Sequence, residues 1–315
     1  MEQIKSGKKL FLAIDLGGTL TKIAIINSGF KILKKKIFLT DICKAKTSKI
    51  FIDNLAKEVE QILNTSKLQQ QIKAFGIGVP GLVDFSKGIV HSLTNITNFQ
   101  NVPLRKILQS RFGMQVFIDN DVNLMALAEA KIGAAAGYKN AVCLTLGTGV
   151  GGGIICEGKL YRGASFSAGE IGHIPLNLNG PICNCGGYGC LERYIGNRII
   201  LRKAKIILRK KDLTMEQLSS LAREGNELAL NIFKDYAKKL GTVLAGIVNF
   251  FNPEVIVIGG GIANAGRFLF SQIHQTIKER ALSVSYKALN IKKAKLGSDA
   301  GLIGAAILIQ ENFSR

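Results

Sequence analysis

Acidic residues are scarce in this chain of 315: 22 Asp and Glu stand against 42 Lys and Arg, leaving a formal net charge of +20. So large a surplus raises the question of nucleic acid. The lysines recur, however, as Lys34-Lys35-Lys36, Arg209-Lys210-Lys211 and Lys292-Lys293, with no basic helix, aromatic-interleaved groove or nucleic-acid motif around them. Solvated faces of a lysine-rich protein are the expectation, with attraction to anionic nucleotides a modest addition and no nucleic-acid partner. No secretion leader is expected either: no N-terminal stretch has the charged, apolar, small-residue order, and Lys8-Lys9 lead directly into an apolar strand. Long apolar runs are also lacking. The longest weakly charged stretch, Leu240 to Gly266, is broken by Asn252-Pro253-Glu254, and neither half reaches the ~20 residues of a spanning helix. A cytoplasmic protein without a membrane partner is expected. With 47% hydrophobic and 20% charged residues, the chain is long enough for two ordered domains rather than disorder.

Histidine occurs three times and cysteine six. Cys43, Cys143 and Cys156 are scattered in apolar or mixed surroundings, as buried free thiols of a reducing compartment would be. The other three crowd into Cys183-Asn184-Cys185-Gly186-Gly187-Tyr188-Gly189-Cys190, with Glu192 just beyond and His173 ten residues before. Three thiolates and an imidazole fill the tetrahedral shell of a structural zinc, and the interleaved glycines let a short loop turn back on one ion. A disulfide or three unrelated core thiols are the competing explanations.

Leu10 to Ile14 is an apolar run ending in Asp15-Leu16-Gly17-Gly18-Thr19, and Thr21 to Ile26 resumes as a second strand. An extended segment over 30–38, a helix over 48–63 with Ile50, Leu55, Val59 and Ile62 on one side, and a buried strand over 72–79 closed by Pro80-Gly81 follow. A helix from Leu104, a strand over 115–118 and a helix over 122–132 complete the first half. Then the opening plan recurs: strand 141–146, turn Gly147-Thr148-Gly149, strand 150–156. Helices over 199–208, 215–223 and 228–251 precede a strand over 255–258, Gly259-Gly260-Gly261, and a last helix over 301–309 packed back on the first lobe. This is an α/β chain with two lobes of similar topology.

Glycine turns after apolar strands let backbone N–H groups reach phosphate oxygens. Asp15 is placed to hold a magnesium ion or its water, Thr19 to offer a hydroxyl, and Lys22 to add charge; Thr148 repeats the phosphate-contacting part. Neither turn is a Walker loop, and Gly76-x-Gly78 lacks the third glycine of a dinucleotide fingerprint. Asp119-Asn120-Asp121 lies where a strand gives way to a helix: a helix cap or a catalytic carboxylate suits it equally, and spacing does not choose. Glu170 and His173 share a side if their segment is helical, leaving one imidazole nitrogen for metal and the other for the site.

Together these motifs resemble the ROK family of sugar kinases and sugar-responsive repressors, within the actin, hexokinase and Hsp70 superfamily. Asp15 to Thr19 resembles the family's first phosphate loop, Leu146 to Gly153 its second, Val257 to Gly261 its adenosine-side loop, and Cys183 to Glu192 its zinc motif Cys-x-Cys-Gly-x-x-Gly-Cys-x-Glu. The resemblance implies a two-lobed actin-like ATPase (ribonuclease H-like) fold with duplicated strand-turn-strand phosphate-binding units and an interlobe cleft. The small lobe is expected at 1–118 plus 300–315, the large one at 119–299. It also implies an ATP- and Mg²⁺-dependent hexose kinase, with Asp121 as general base. Gly81, Asn95, Asn120, Asp121, Glu170, His173 and Glu192 are the implied sugar ligands. Asp15, Gly17, Gly18, Thr19, Lys22, Gly147, Thr148, Gly149, Gly259, Gly260 and Gly261 are placed on ATP, and His173, Cys183, Cys185 and Cys190 on structural Zn²⁺. Glucose is the expected acceptor; N-acetylglucosamine, N-acetylmannosamine, fructose and allose are the alternatives, bearing on which are Phe166, where small residues are common, and Phe99, near a common tryptophan. A regulator without turnover is the other class. Family regulators resemble the kinases with a winged-helix domain added in front, and with the first strand expected near residue 9 no such domain is expected here. A homodimer or higher homo-oligomer is expected.

Overall fold

A computed structural model describes residues 9–40, 47–66, 68, 71–93 and 96–313, with the side chains of 96–98 excepted. Asn95 and Cys43 lie outside the described residues. The first half runs β1 (Leu10–Leu16), β2 (Leu20–Asn27), β3 (Ile32–Leu39), α1 (Ser48–Ser66), β4 (Ile72–Val79), β5 (Gly81–Asp84), β6 (Ile89–Leu93), β7 (Ile96–Val102), α2 (Leu104–Phe112), β8 (Gln115–Asn120) and α3 (Asp121–Ile132). The second runs β9 (Ala141–Leu146), β10 (Val150–Cys156), β11 (Lys159–Tyr161), α4 (Glu192–Ile195), α5 (Asn197–Ile207), α6 (Met215–Arg223), α7 (Glu227–Phe251), β12 (Val255–Gly259), α8 (Arg267–Arg280), α9 (Ser283–Ala288), β13 (Asn290–Lys293) and α10 (Ala300–Phe313).

The chain forms two compact units, one of residues 1–128, 162–168 and 298–315, the other of 129–161 and 169–297. The division expected before residue 119 thus falls ten residues later. Leu124 of α3 explains the shift: a Cβ on Gly78 of β4 would lie 2.8 Å from its side chain, and one on Gly304 of α10 would lie 1.9 Å from its carbonyl oxygen. The start of α3 is therefore packed into the first unit.

In that unit the sheet order is β3-β2-β1-β4-β8, with β1–β2 and β2–β3 antiparallel and β1–β4 and β4–β8 parallel. The second unit repeats it as β11-β10-β9-β12-β13, with the same senses. The duplicated strand–turn–strand read from the sequence is thus a duplication of whole five-stranded sheets. Continuous apolar runs such as Leu10–Ile14 and Val255–Ile258 sit at interior positions, where both faces are covered.

On α1 the buried stripe is Phe51, Ile52, Leu55, Ala56, Val59, Ile62 and Leu63. Ile50, expected on that side, is 44% exposed, because its position falls one residue off the stripe that Phe51, Leu55 and Val59 define at helical spacing. Helix α10 is buried without interruption from Ala300 to Ile309. It lies so close on β4 that a Cβ on Gly76 would come within 2.4 Å of the Ala305 carbonyl oxygen. Helix α7 starts at Asn226, whose side chain accepts from Ala229 N–H, and stops at Asn252 in the left-handed region (φ 50) before Pro253. Among the described residues no helix is long and apolar enough to cross a membrane. A further sheet, β5-β6-β7, belongs to the first unit; its short, partly exposed strands carry no clear period.

The basic runs 34–36 and 209–211 are not equivalent. Lys34 bonds Thr65, Lys35 pairs with Asp299 at 2.9 Å and Lys36 with Glu58, whereas Arg209, Lys210 and Lys211 are exposed.

Candidate active site

Strand β1 delivers Asp15 to the first glycine turn. Lys22, its cross-strand partner in register, reaches back to Asp15 Oδ2 at 3.0 Å and donates to the Ser298 carbonyl. Part of the lysine charge is thereby spent within the unit. Gly17 N–H closes the turn on Leu20 O (3.1 Å), and Gly18 and Thr19 are exposed. Strand β8 carries Asn120 to the start of α3. Its Oδ1 accepts from Val122 N–H (2.8 Å) and Asn123 N–H (3.2 Å), and its Nδ2 donates to Gly81 O (3.2 Å). The helix-cap reading is realised by Asn120, which also ties β5 to the strand end. Asp121 is the first helical residue, where the dipole favours a carboxylate, and its Oδ1 accepts from Val122 N–H at 2.9 Å.

Asp119 just before them is 2% exposed, and Arg162 grips it through two nitrogens at 2.8 and 2.7 Å. Sequence reasoning assigned Arg162 nothing, because the pairing joins residues 43 positions apart. Phe99, considered for a pocket wall, is 1% exposed and meets Phe51 edge-on at 5.9 Å. It is a core side chain, since β7 turns it toward α1. Phe166 is partly buried and holds φ +61, a left-handed conformation that a bulky residue adopts only under constraint.

In the second unit Gly147 N–H bonds Gly149 O at 3.0 Å, leaving Thr148 exposed at the tip of the turn. The Gly259–Gly261 stretch lies beside it: a Cβ on Gly260 (φ +84) would be 2.1 Å from Leu146 O. Glu192, at the start of α4, extends to the same turn and accepts from Val150 N–H at 2.9 Å.

His173 ends a single 3-10 turn, Ile171–His173, rather than an α-helix. The side-sharing holds nonetheless: Nδ1 lies 3.6 Å from Cys183 Sγ and Nε2 3.7 Å from Glu170 Oε2. One nitrogen thus faces the thiols and the other the carboxylate. Partial burial pushes the Glu170 carboxyl up and Glu192 adds to the rise, against a lowering from His173.

His173, Cys183, Cys185 and Cys190 bring four ligand atoms within 4.8 Å of one another. Cys185 and Cys190 sulfurs are 3.6 Å apart and the cysteines are free, too far for a disulfide. The edges of a tetrahedron around zinc with sulfur and nitrogen ligands are about 3.3–3.8 Å, so the donor set and spacing fit such an ion. Gly189 makes the fold-back possible: at φ +65, a Cβ would lie 1.8 Å from Asn177 O. The Gly187 backbone N–H lowers the Cys185 thiol, while burial pushes Cys190 up to about 12. Of these two sulfurs, Cys185 is the readier to ionise. Buried Cys143 is raised by desolvation and stays a thiol.

Two sheets of one topology, each opening on a strand, a glycine turn and a returning strand, define the actin-like ATPase fold. Within that fold, the ROK family profile matches residues 11–312. The chain belongs to the ROK family. The glucokinase of Thermotoga maritima is 34% identical across 97% of this chain and 99% of its own length. The xylose repressor of Caldicellulosiruptor bescii is 30% identical across 98% of this chain and 79% of its own. A solved structure of a ROK family glucokinase from Streptomyces griseus in complex with glucose and AMPPNP aligns at TM-score 0.83 and 29% identity, over 96% of this chain and 100% of that one.

Proposed function

We propose that the protein is an ATP-dependent hexose kinase whose acceptor is D-glucose, yielding glucose 6-phosphate and ADP. The observation that carries the reading is Asp121, a carboxylate at the first turn of α3 beside Asn120, in a fold with two equivalent glycine turns. Asp121 removes the proton from the sugar hydroxyl, the oxygen attacks the γ-phosphorus, and the bond to the β-phosphate oxygen breaks as ADP leaves. On the first unit, Asn120 and Gly81 are assigned to the sugar, and Asp15, Gly17, Gly18, Thr19 and Lys22 to the phosphates. On the second, Glu170, His173 and Glu192 are assigned to ring hydroxyls, and Gly147, Thr148, Gly149, Gly259, Gly260 and Gly261 to the nucleotide. The Thermotoga maritima glucokinase and the glucose-bound Streptomyces griseus enzyme support this choice of substrate.

The Asp15 carboxylate, half-buried with Lys22 on one oxygen, offers with phosphate oxygens the hard donor set magnesium takes; bound there, Mg²⁺ would neutralise phosphate charge. Zinc would be held by His173, Cys183, Cys185 and Cys190 and would order the loop, without chemistry of its own.

A coupled ADP-release assay over glucose, N-acetylglucosamine, N-acetylmannosamine, fructose and allose tests the substrate. Glucose should give the highest kcat/KM; another sugar ahead of it would move the assignment to that sugar. Asp121→Asn should bind sugar and lower kcat steeply. The xylose repressor relative favours a second reading, a sugar-responsive regulator, and absence of ATP-dependent turnover with every sugar would select it.

A further inference from the structure

We infer that Asp119 and Arg162 form a positioning pair for the proposed kinase site, fixing the β8 end that presents Asn120 and Asp121 and the loop that carries Phe166. The inference rests on the assignment of Asn120 and Asp121 made above. Asp119 has no room for a solvent role. It is 2% exposed, and both oxygens are engaged: Oδ1 accepts from Asn120 N–H (2.8 Å) and Asn123 Nδ2 (2.9 Å), and Oδ2 receives Arg162 Nε (2.8 Å) and a terminal guanidinium nitrogen (2.7 Å). Four donors converge on one carboxylate that flanks the proposed sugar ligand.

Arg162 is held equally firmly. Its guanidinium carbon stands 3.9 Å from the centre of the Phe85 ring, with Arg105 at 5.9 Å from the same ring. Phe85 follows directly on β5, the strand whose Gly81 carbonyl accepts from Asn120. The small sheet therefore braces the β8 end twice, once through Gly81 and once through Phe85 and Arg162.

Arg162 also opens the segment 162–168, the one internal stretch after α3 that packs with the first unit. The segment closes on itself through Ala168 N–H to Arg162 O at 3.0 Å and contains the strained Phe166. A loop this short, with a non-glycine residue at φ +61, needs an external fixture, and the Asp119–Arg162 pair supplies one. The planar fork matters: two of its nitrogens converge on the single oxygen Oδ2 while the ring of Phe85 lies against its face, an arrangement a compact ammonium does not reproduce.

The test is Arg162→Gln, Arg162→Lys and the double variant D119N/R162Q, assayed beside Asp121→Asn for kcat, for KM of sugar and ATP, and for sugar affinity by calorimetry. Misplacing the site by about 1 Å costs about 100-fold, so R162Q should lose about that in kcat/KM for the sugar while KM for ATP moves less than about two-fold. R162K should recover part of the loss. D119N/R162Q should exceed R162Q in activity, since a neutral amide pair leaves no lone charge buried. Wild-type sugar kinetics in R162Q, or a double variant that regains stability without activity, would overturn the inference. Failure of the kinase reading looks different: no turnover by the wild type, or turnover kept by D121N. Calorimetry then decides the pair alone, and unchanged sugar affinity in R162Q overturns it.

Discussion

Gly149→Ala sets the second glycine turn against Glu192. A Cβ at this position would lie 2.3 Å from Glu192 Oε2, where carbon and oxygen need about 3.3 Å. The carboxylate must retreat by about 1 Å, which stretches its bond from Val150 N–H, now 2.9 Å, to about 3.9 Å and past hydrogen-bond range. A charge-assisted bond of this kind contributes about 1.5–3 kcal/mol. Transferred to the transition state, that is a fall of about 10- to 150-fold in kcat/KM for the sugar. The measurement is a coupled ADP-release assay with sugar and ATP varied separately. A second variant sharpens it: G149A with Glu192→Asp shortens the acid by one methylene, relieves the overlap and should regain part of the loss. If G149A keeps kcat/KM within about two-fold of wild type, the position of Glu192 at this turn is not what the site depends on.

Cys185→Ser should abolish stoichiometric zinc, read by elemental analysis, and weaken sugar binding by calorimetry, because the loop bearing His173 loses its tie; full sugar affinity in the zinc-free variant would refute the brace. Tyr236 is wholly buried, and its hydroxyl has no hydrogen-bond partner among the described residues. Tyr236→Phe should therefore hold or raise stability by about 1 kcal/mol in urea unfolding, and a loss of that size would reveal a bonded hydroxyl. Gly246 sits exposed inside α7, and a Cβ added there would meet nothing within 4 Å. Gly246→Ala should gain about 0.5–1 kcal/mol from helix propensity; a lower melting temperature would contradict that.

Long elements were legible because their periodicity repeats. The stripe of α1, the run of α7 and the two strand–turn–strand units needed only local spacing, and from the repeated unit came the duplicated sheet. The small β5-β6-β7 sheet was not legible, since strands as short as Gly81–Asp84 with mixed exposure show no period. Phe99 illustrates a different limit. An aromatic near a polar segment suits a pocket or a core equally, and only the contact with Phe51 decides. Within the site, the thiol cluster was readable because four ligands fall within 18 residues. Arg162 was not, because nothing local marks an arginine whose partner is a buried carboxylate in a distant strand.

Helix α10 imposes an order on the making of the protein. Leu302, Ile303, Ile307, Leu308 and Ile309 are all buried in the first unit, and at about 1.5–3 kcal/mol each they contribute about 7–15 kcal/mol, comparable with the whole stability of a domain. Yet they are synthesised after every residue of the second unit. The first sheet therefore leaves the ribosome with the face on which Gly76 meets Ala305 uncovered, and it waits through the translation of residues 129–297 for its cover. The half of the protein made first is the half completed last, and a chain ended just before residue 300 would hold all of the second unit joined to an open first one.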